Sequence, residues 1–124
     1  MQSTVAKQLD NDTVTDDNTR DVVKGTLDML ILKAVERAPI HGWGVAERID
    51  TLSQGVFRLQ TGTLYPALHR LLRKGWIAAE WRTTENTRRA RYYTLTAAGR
   101  KRLQAERDSW LRATVAVKRI LDAV

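Results

Sequence analysis

The residues best equipped for chemistry in this 124-residue chain are cationic and hydroxylated, and they fall in two clusters. One is Arg82, Arg88, Arg89 and Arg91, opposed within the stretch only by Glu85. Guanidinium groups crowded in this way suit phosphate oxygens, which they meet as bidentate donors. A solvated basic turn would have the same composition. The other cluster is Gln60, Thr61, Gly62, Thr63 and Tyr65, followed one turn later by His69 and Arg70. Hydroxyls and free backbone N–H groups at a helix start bind phosphate, and glycine lets the backbone come close. Alternatively, Thr61 only caps its helix and Tyr65 only packs against a neighbouring one.

Other chemistries find little support. The chain has no cysteine, so disulfides, thiolate nucleophiles and cysteine metal ligands are excluded. His41 and His69 are the only histidines and stand far apart, without the carboxylate cluster of a metal site. No nucleophile–base pair and no phosphate loop is present, so neither enzyme activity nor a cofactor is expected. No segment has the length of a membrane span, and the N-terminus lacks a hydrophobic signal region; a soluble, cytoplasmic protein without membrane attachment is expected.

Charge narrows the partner. The net charge is +7. Residues 1–24 carry three basic and five acidic groups, whereas residues 25–124 carry eighteen basic and nine acidic ones. The basic character therefore belongs to the folded body, and a polyanion, nucleic acid first, is the expected partner. Residues 1–23 read as a flexible polar arm, free to screen that basic body or to act as a plain tail.

The elements that must position the two clusters follow from periodicity. Leu27, Leu30, Ile31, Ala34, Val35 and Ala38 recur at helical spacing, and Pro39 should end that helix. His41-Gly-Trp-Gly44 should turn into a second helix whose Val45, Ala46 and Ile49 face inward; His41 is expected to cap it or pack beside it. Val56–Leu59 alternates like a very short strand. Thr61 is the expected N-cap of a third helix, with Leu64, Leu68, Leu71 and Leu72 on one face, Pro66 in about its first turn and Gly75 at its C′ position. Trp76–Arg82 and Arg91–Leu95 are expected strands joined by a long polar loop, with Trp76 and Trp81 packing on the hairpin. Arg91 could pair with Glu80 across it. Thr96 should cap a helix of about 40 Å reaching Asp122. The expected fold is mainly α with a β-hairpin (α+β): a winged helix-turn-helix over 24–95 followed by a long C-terminal dimerisation helix over 96–124.

Four segments carry a family resemblance: His41-Gly-Trp-Gly-Val-Ala-Glu-Arg-Ile49, Gly62-Thr-Leu-Tyr-Pro-Ala-Leu-His-Arg-Leu71, Lys74-Gly-Trp-Ile77 and Arg91-Tyr-Tyr-Thr-Leu-Thr-Ala-Ala-Gly99. In this order and spacing they resemble the PadR family of transcriptional regulators, in its short subgroup with one terminal helix. Trp43 stands where this family commonly has Tyr. The resemblance implies a sequence-specific repressor binding double-stranded DNA as a homodimer. The third helix would then be the recognition helix, and the 82–91 hairpin loop the wing that brings Arg88, Arg89 and Arg91 to DNA. Leu103, Trp110, Leu111, Thr114, Val117 and Leu121 recur along the last helix in a heptad-like stripe, the expected dimer interface. Trp110, in a Ser109-Trp110 context, is an interface tryptophan or a platform for a small aromatic effector, as in some multidrug-sensing members. The other function class weighed is a winged-helix module for protein or RNA, without an operator.

Overall fold

The computed structural model describes residues 26–124; the expected arm at 1–23 lies outside the described residues. The described elements run α1 (Leu27–Ala34), β1 (Ile40–His41), α2 (Gly42–Leu52), α3 (Thr61–Arg73), β2 (Ile77–Thr83), β3 (Arg89–Leu95) and α4 (Ala97–Leu121). The three strands form one antiparallel sheet in the order β1-β3-β2. This is the expected α+β winged helix with a long terminal helix.

Ile31, Leu32, Ala34 and Val35 of the first helical segment meet Val45 and Ile49 of α2 and Leu64, Ala67, Leu68 and Leu71 of α3 in one core. Ile77 and Tyr93 of the hairpin close it on one side. The first helix ends at Ala34, with Val35 as its C-cap, several residues before Pro39. Ala38 is accordingly exposed, and Leu32 occupies the core instead. No strand forms at Val56–Leu59. A strand requires a partner edge, and the free edge of β3 is taken by Ile40 and His41, opposite Tyr93 and Tyr92.

The third helix starts one residue earlier than its sequence suggests. Gln60 is the N-cap residue, its carbonyl accepting from the N–H groups of Thr63 and Leu64, both at 2.9 Å. Thr61 is thus the first helical residue and not the cap. Pro66 falls at the sixth helical position, a turn deeper than expected. It removes the bond to the Gly62 carbonyl. The helix ends as expected: Gly75, at φ +75°, donates to the Leu72 carbonyl at 3.0 Å, and Trp76 donates to the Leu71 carbonyl at 3.1 Å. This is a Schellman closure, which needs a left-handed residue at C′.

The hairpin loop is shorter than the sequence suggests. The strands run to Thr83 and from Arg89, leaving a turn of Thr84–Arg88. It is closed by Thr84 N–H donating to the Arg88 carbonyl at 2.6 Å and Thr87 N–H to the Thr84 carbonyl at 3.0 Å. Polar composition reads as loop, but cross-strand pairing carries the ladder through Arg82↔Ala90 and Thr83↔Arg89.

Thr96 caps α4, its hydroxyl oxygen accepting from Gly99 N–H at 3.0 Å and donating to the Gly75 carbonyl at 2.7 Å. The helix start is thereby fastened to the exit turn of α3. Gly99 lies so close to that turn that a Cβ there would sit 1.9 Å from the Trp76 carbonyl oxygen. Arg102 then lies over the Trp76 ring, 4.6 Å from its centroid. Leu103 is the last side chain of α4 in the core, 7% exposed. It is buried by its own chain, unlike the other residues of the heptad-like stripe. From Arg107 onward every residue of the chain is exposed.

Candidate nucleic-acid interface

The two clusters picked out from the sequence face each other across one groove. Its volume is about 600 Å³, and its walls are the exposed side of α3 and the inner side of the hairpin. Alternation along the strands explains the second wall. Ile77, Ala79, Trp81 and Thr83 oppose Leu95, Tyr93, Arg91 and Arg89, so all eight share one face of the sheet. Near the body of the protein this face builds core with Ile77 and Tyr93. Further out the core ends, and the same face presents Trp81, Arg91 and Arg89 to the groove. The Tyr93 phenol, part of the groove lining, is buried, and burial pushes its pKa above the ordinary tyrosine value against the pull of Arg91. It stays neutral at physiological pH.

On α3 the buried stripe of Leu64, Ala67, Leu68 and Leu71 leaves Thr61, Gly62, Thr63, Tyr65 and His69 outward. Tyr65 and His69 line the groove; Thr61, Gly62 and Thr63 stand exposed at the open start of the helix, after Gln60. Tyr65 packs against the second helix and still reaches the groove. Its ring lies against Gly42, where a Cβ would come within 2.8 Å of Cε1, and 38% of the residue remains exposed. Arg70 is not brought to the groove. It forms an ion pair with Asp28 of α1, which turns its guanidinium toward the flank of the first helix.

Three arginines border this groove: Arg88, Arg89 and Arg91. No carboxylate lines it, and among the described residues none of the three forms an ion pair. Arg91 stands opposite Trp81, not Glu80, so the cross-hairpin pair considered for it does not form. Glu80 instead pairs with Arg82 on the outer face, where Arg82 also lies 5.4 Å from the Tyr92 ring centroid. Among the described residues the site is therefore a concave cationic surface with aromatic walls and no carboxylate in its lining. Such a surface attracts a phosphodiester backbone.

Several lining residues were not legible as site residues. His41 caps α2, its Nδ1 accepting from Gly44 N–H at 2.9 Å, as one of its two expected roles required. Its ring stacks on Trp43, with centroids 5.4 Å apart and planes 10° apart. Trp43 and Trp81 are 64% and 58% exposed. A tryptophan beside an arginine run was the available signal for Trp81. Trp43 gave none beyond its aromaticity, because helix periodicity alone does not say which side of a short α2 meets solvent.

A second surface lies on α4. Trp110, Leu111, Val117 and Leu121 are all exposed, and the Thr114 hydroxyl is turned back to the Trp110 carbonyl at 2.8 Å. A small crevice of about 170 Å³ between α1 and α4 is lined by Met29, Glu106, Ser109, Trp110 and Ala113. Among the described residues no group of three or more metal-ligating side chains gathers, and no helix is long and apolar enough to cross a membrane.

Comparison with known proteins agrees with this architecture. The model of the transcriptional regulator PadR-like family matches residues 31–105. The transcriptional regulator Rv3488 of Mycobacterium tuberculosis is 33% identical over 88 residues, covering 71% of this chain and 78% of that protein. An uncharacterized 37.1 kDa protein in transposon TN4556 of Streptomyces fradiae is 38% identical over 84 residues, and the chain spans only 23% of that protein's length. The crystal structure of a PadR family transcriptional regulator from Eggerthella lenta superposes with a TM-score of 0.74 at 26% identity, covering 91% of this chain and 96% of that one. The chain belongs to the PadR-like family of transcriptional regulators.

Proposed function

We propose that this PadR-like chain is a homodimeric repressor that binds duplex DNA at a pseudo-palindromic operator. The observation that carries the proposal is the groove between α3 and the wing: among the described residues it is bordered by three arginines without ion pairs and lined by no carboxylate on a concave surface. An α-helix such as α3 fits the major groove, with Gln60, Thr61, Gly62, Thr63, Tyr65 and His69 toward base edges and phosphates. Arg88 and Arg89 at the hairpin tip would follow the adjacent backbone or minor groove. The apolar stripe of α4 would pair with the same stripe on a second copy, because an isologous interface needs one self-complementary patch. Twofold symmetry then sets two half-sites one helical turn, about 34 Å, apart. Repression follows when the occupied operator overlaps a promoter. Trp110, with Ser109 beside it at the α1–α4 crevice, is the best placed side chain to stack a flat aromatic effector between subunits. An effector that favours a different angle between the two halves would spoil the half-site spacing.

The test is capture of duplex fragments from genomic DNA by the purified protein, followed by titration at two salt concentrations with Arg88→Ala/Arg89→Ala beside the wild type. Binding that weakens steeply with salt, and with a shallower slope in the variant, supports this function. A folded protein that retains no duplex, yet retains single-stranded RNA or a protein partner, rejects it.

A further inference from the structure

We propose that Trp81 is a positioning residue for the wing: its indole face holds the Arg89 guanidinium in the groove, charged and ready for phosphate. The inference rests on the DNA-binding function above and assigns a part of it to a residue outside the arginine cluster.

Geometry supplies the first support. The Arg89 guanidinium carbon lies 5.2 Å from the centroid of the Trp81 ring, within cation–π range. The register makes the contact natural. Trp81 stands opposite Arg91 and Thr83 opposite Arg89, so Trp81 and Arg89 are diagonal neighbours on one face, a separation that long side chains bridge. That face looks into the groove, which both residues line.

The surroundings supply the second. Trp81 is 58% exposed, so core packing does not account for an indole there. The other face of the hairpin shows the alternative way to hold an arginine. Arg82 is gripped by Glu80, which both orients and neutralises it. A carboxylate at the groove would compete with the very phosphate the arginine has to reach. An aromatic face orients a guanidinium without cancelling its charge and leaves its edge N–H groups free for phosphate oxygens. Part of the freedom that Arg89 would lose on binding is thereby lost beforehand, which strengthens binding without any new contact to DNA.

A double-mutant cycle on a duplex captured by the wild-type protein tests this, with Trp81→Leu, Arg89→Ala and both together, read by fluorescence anisotropy. Trp81→Leu keeps apolar bulk and removes the π face; Trp81→Phe keeps a π face. At an exposed contact the loss is expected to be about two- to fivefold per protomer, so roughly four- to twenty-fivefold for a dimer. Arg89→Ala is expected to weaken binding more, and adding Trp81→Leu to it should change little further. Trp81→Phe should bind more tightly than Trp81→Leu, while thermal midpoints of all variants stay close to the wild type. Trp81→Leu binding like the wild type, or effects that multiply in the double variant, would overturn the inference and leave the DNA-binding function standing. A wild-type protein that captures no duplex overturns both.

Discussion

The hairpin groove and the outer half of α4 both leave large apolar side chains in water, but in different company. At the groove, Trp43 and Trp81 stand among arginines that no carboxylate of the described residues neutralises. Along α4 two ion pairs form within the helix itself, Arg102 with Glu106 and Lys118 with Asp122, and Leu111, Val117 and Leu121 lie bare on its surface. Exposed aliphatic side chains gain from an apolar partner and have no use for a polyanion. Unmatched cations with aromatic walls are the reverse. On the proposed function the two surfaces are addressed to different partners, nucleic acid at one and a second copy of the chain at the other. The fold separates them but fastens them at one junction, where Thr96 and Gly99 meet the exit turn of α3.

Breaking the α4 surface should have the largest effect. Val117→Asp places a charge on the bare stripe without touching the core. It is expected to convert the dimer to monomers in sedimentation velocity. Loss of two-site binding should lower duplex affinity by about 10²- to 10⁴-fold. A dimer that persists would remove the assigned partner from this surface.

Breaking the groove comes next. Arg88→Ala/Arg89→Ala removes two cations per protomer, four per dimer. If all four contact phosphates, the slope of log affinity against log salt should shrink by roughly 3–4. Sedimentation should show the dimer unchanged, which separates the two surfaces cleanly.

The junction between them is sharpened by Gly99→Ala. The new methyl would overlap the Trp76 carbonyl, so a cost of about 1–3 kcal/mol is expected. The thermal midpoint should fall by roughly 4–8 °C for each kcal/mol, readable by calorimetry. The smallest effect should come from Arg70→Ala. Its partly exposed ion pair with Asp28 contributes at most about 1 kcal/mol to stability. Duplex affinity should change less than twofold, since the guanidinium is committed to α1. A loss as large as that of Arg89→Ala would show that Arg70 leaves Asp28 to reach DNA.

Much of this arrangement is legible in local sequence because its causes are local. Gly75 closes α3 and Thr96 opens α4 through contacts within a few residues, and the leucine stripe of α3 follows helical spacing. Features decided by distant partners are not legible. The edge strand is only Ile40 and His41 and exists because β3 offers them an edge, whereas Val56–Leu59 alternates but has no edge to join. Asp28 and Arg70 are 42 residues apart in sequence, and nothing near either residue announces the pair. The heptad-like stripe joins Leu103 to Trp110, Val117 and Leu121, yet Leu103 is spent on its own core. Spacing identifies a face that packs; it does not say whether the chain itself or a second copy covers it. At the wing, arginine count pointed to the site, while Trp81 among the arginines became meaningful only once the pairing register put its ring beside Arg89.

The most direct test of the central claim is a hydroxyl-radical footprint of the wild-type protein on a captured duplex. Two protected half-sites related by a twofold axis, about one helical turn apart and fading together as salt rises, are the predicted result. A folded protein at low salt that protects no backbone, or protects a single unpaired half-site, would contradict it.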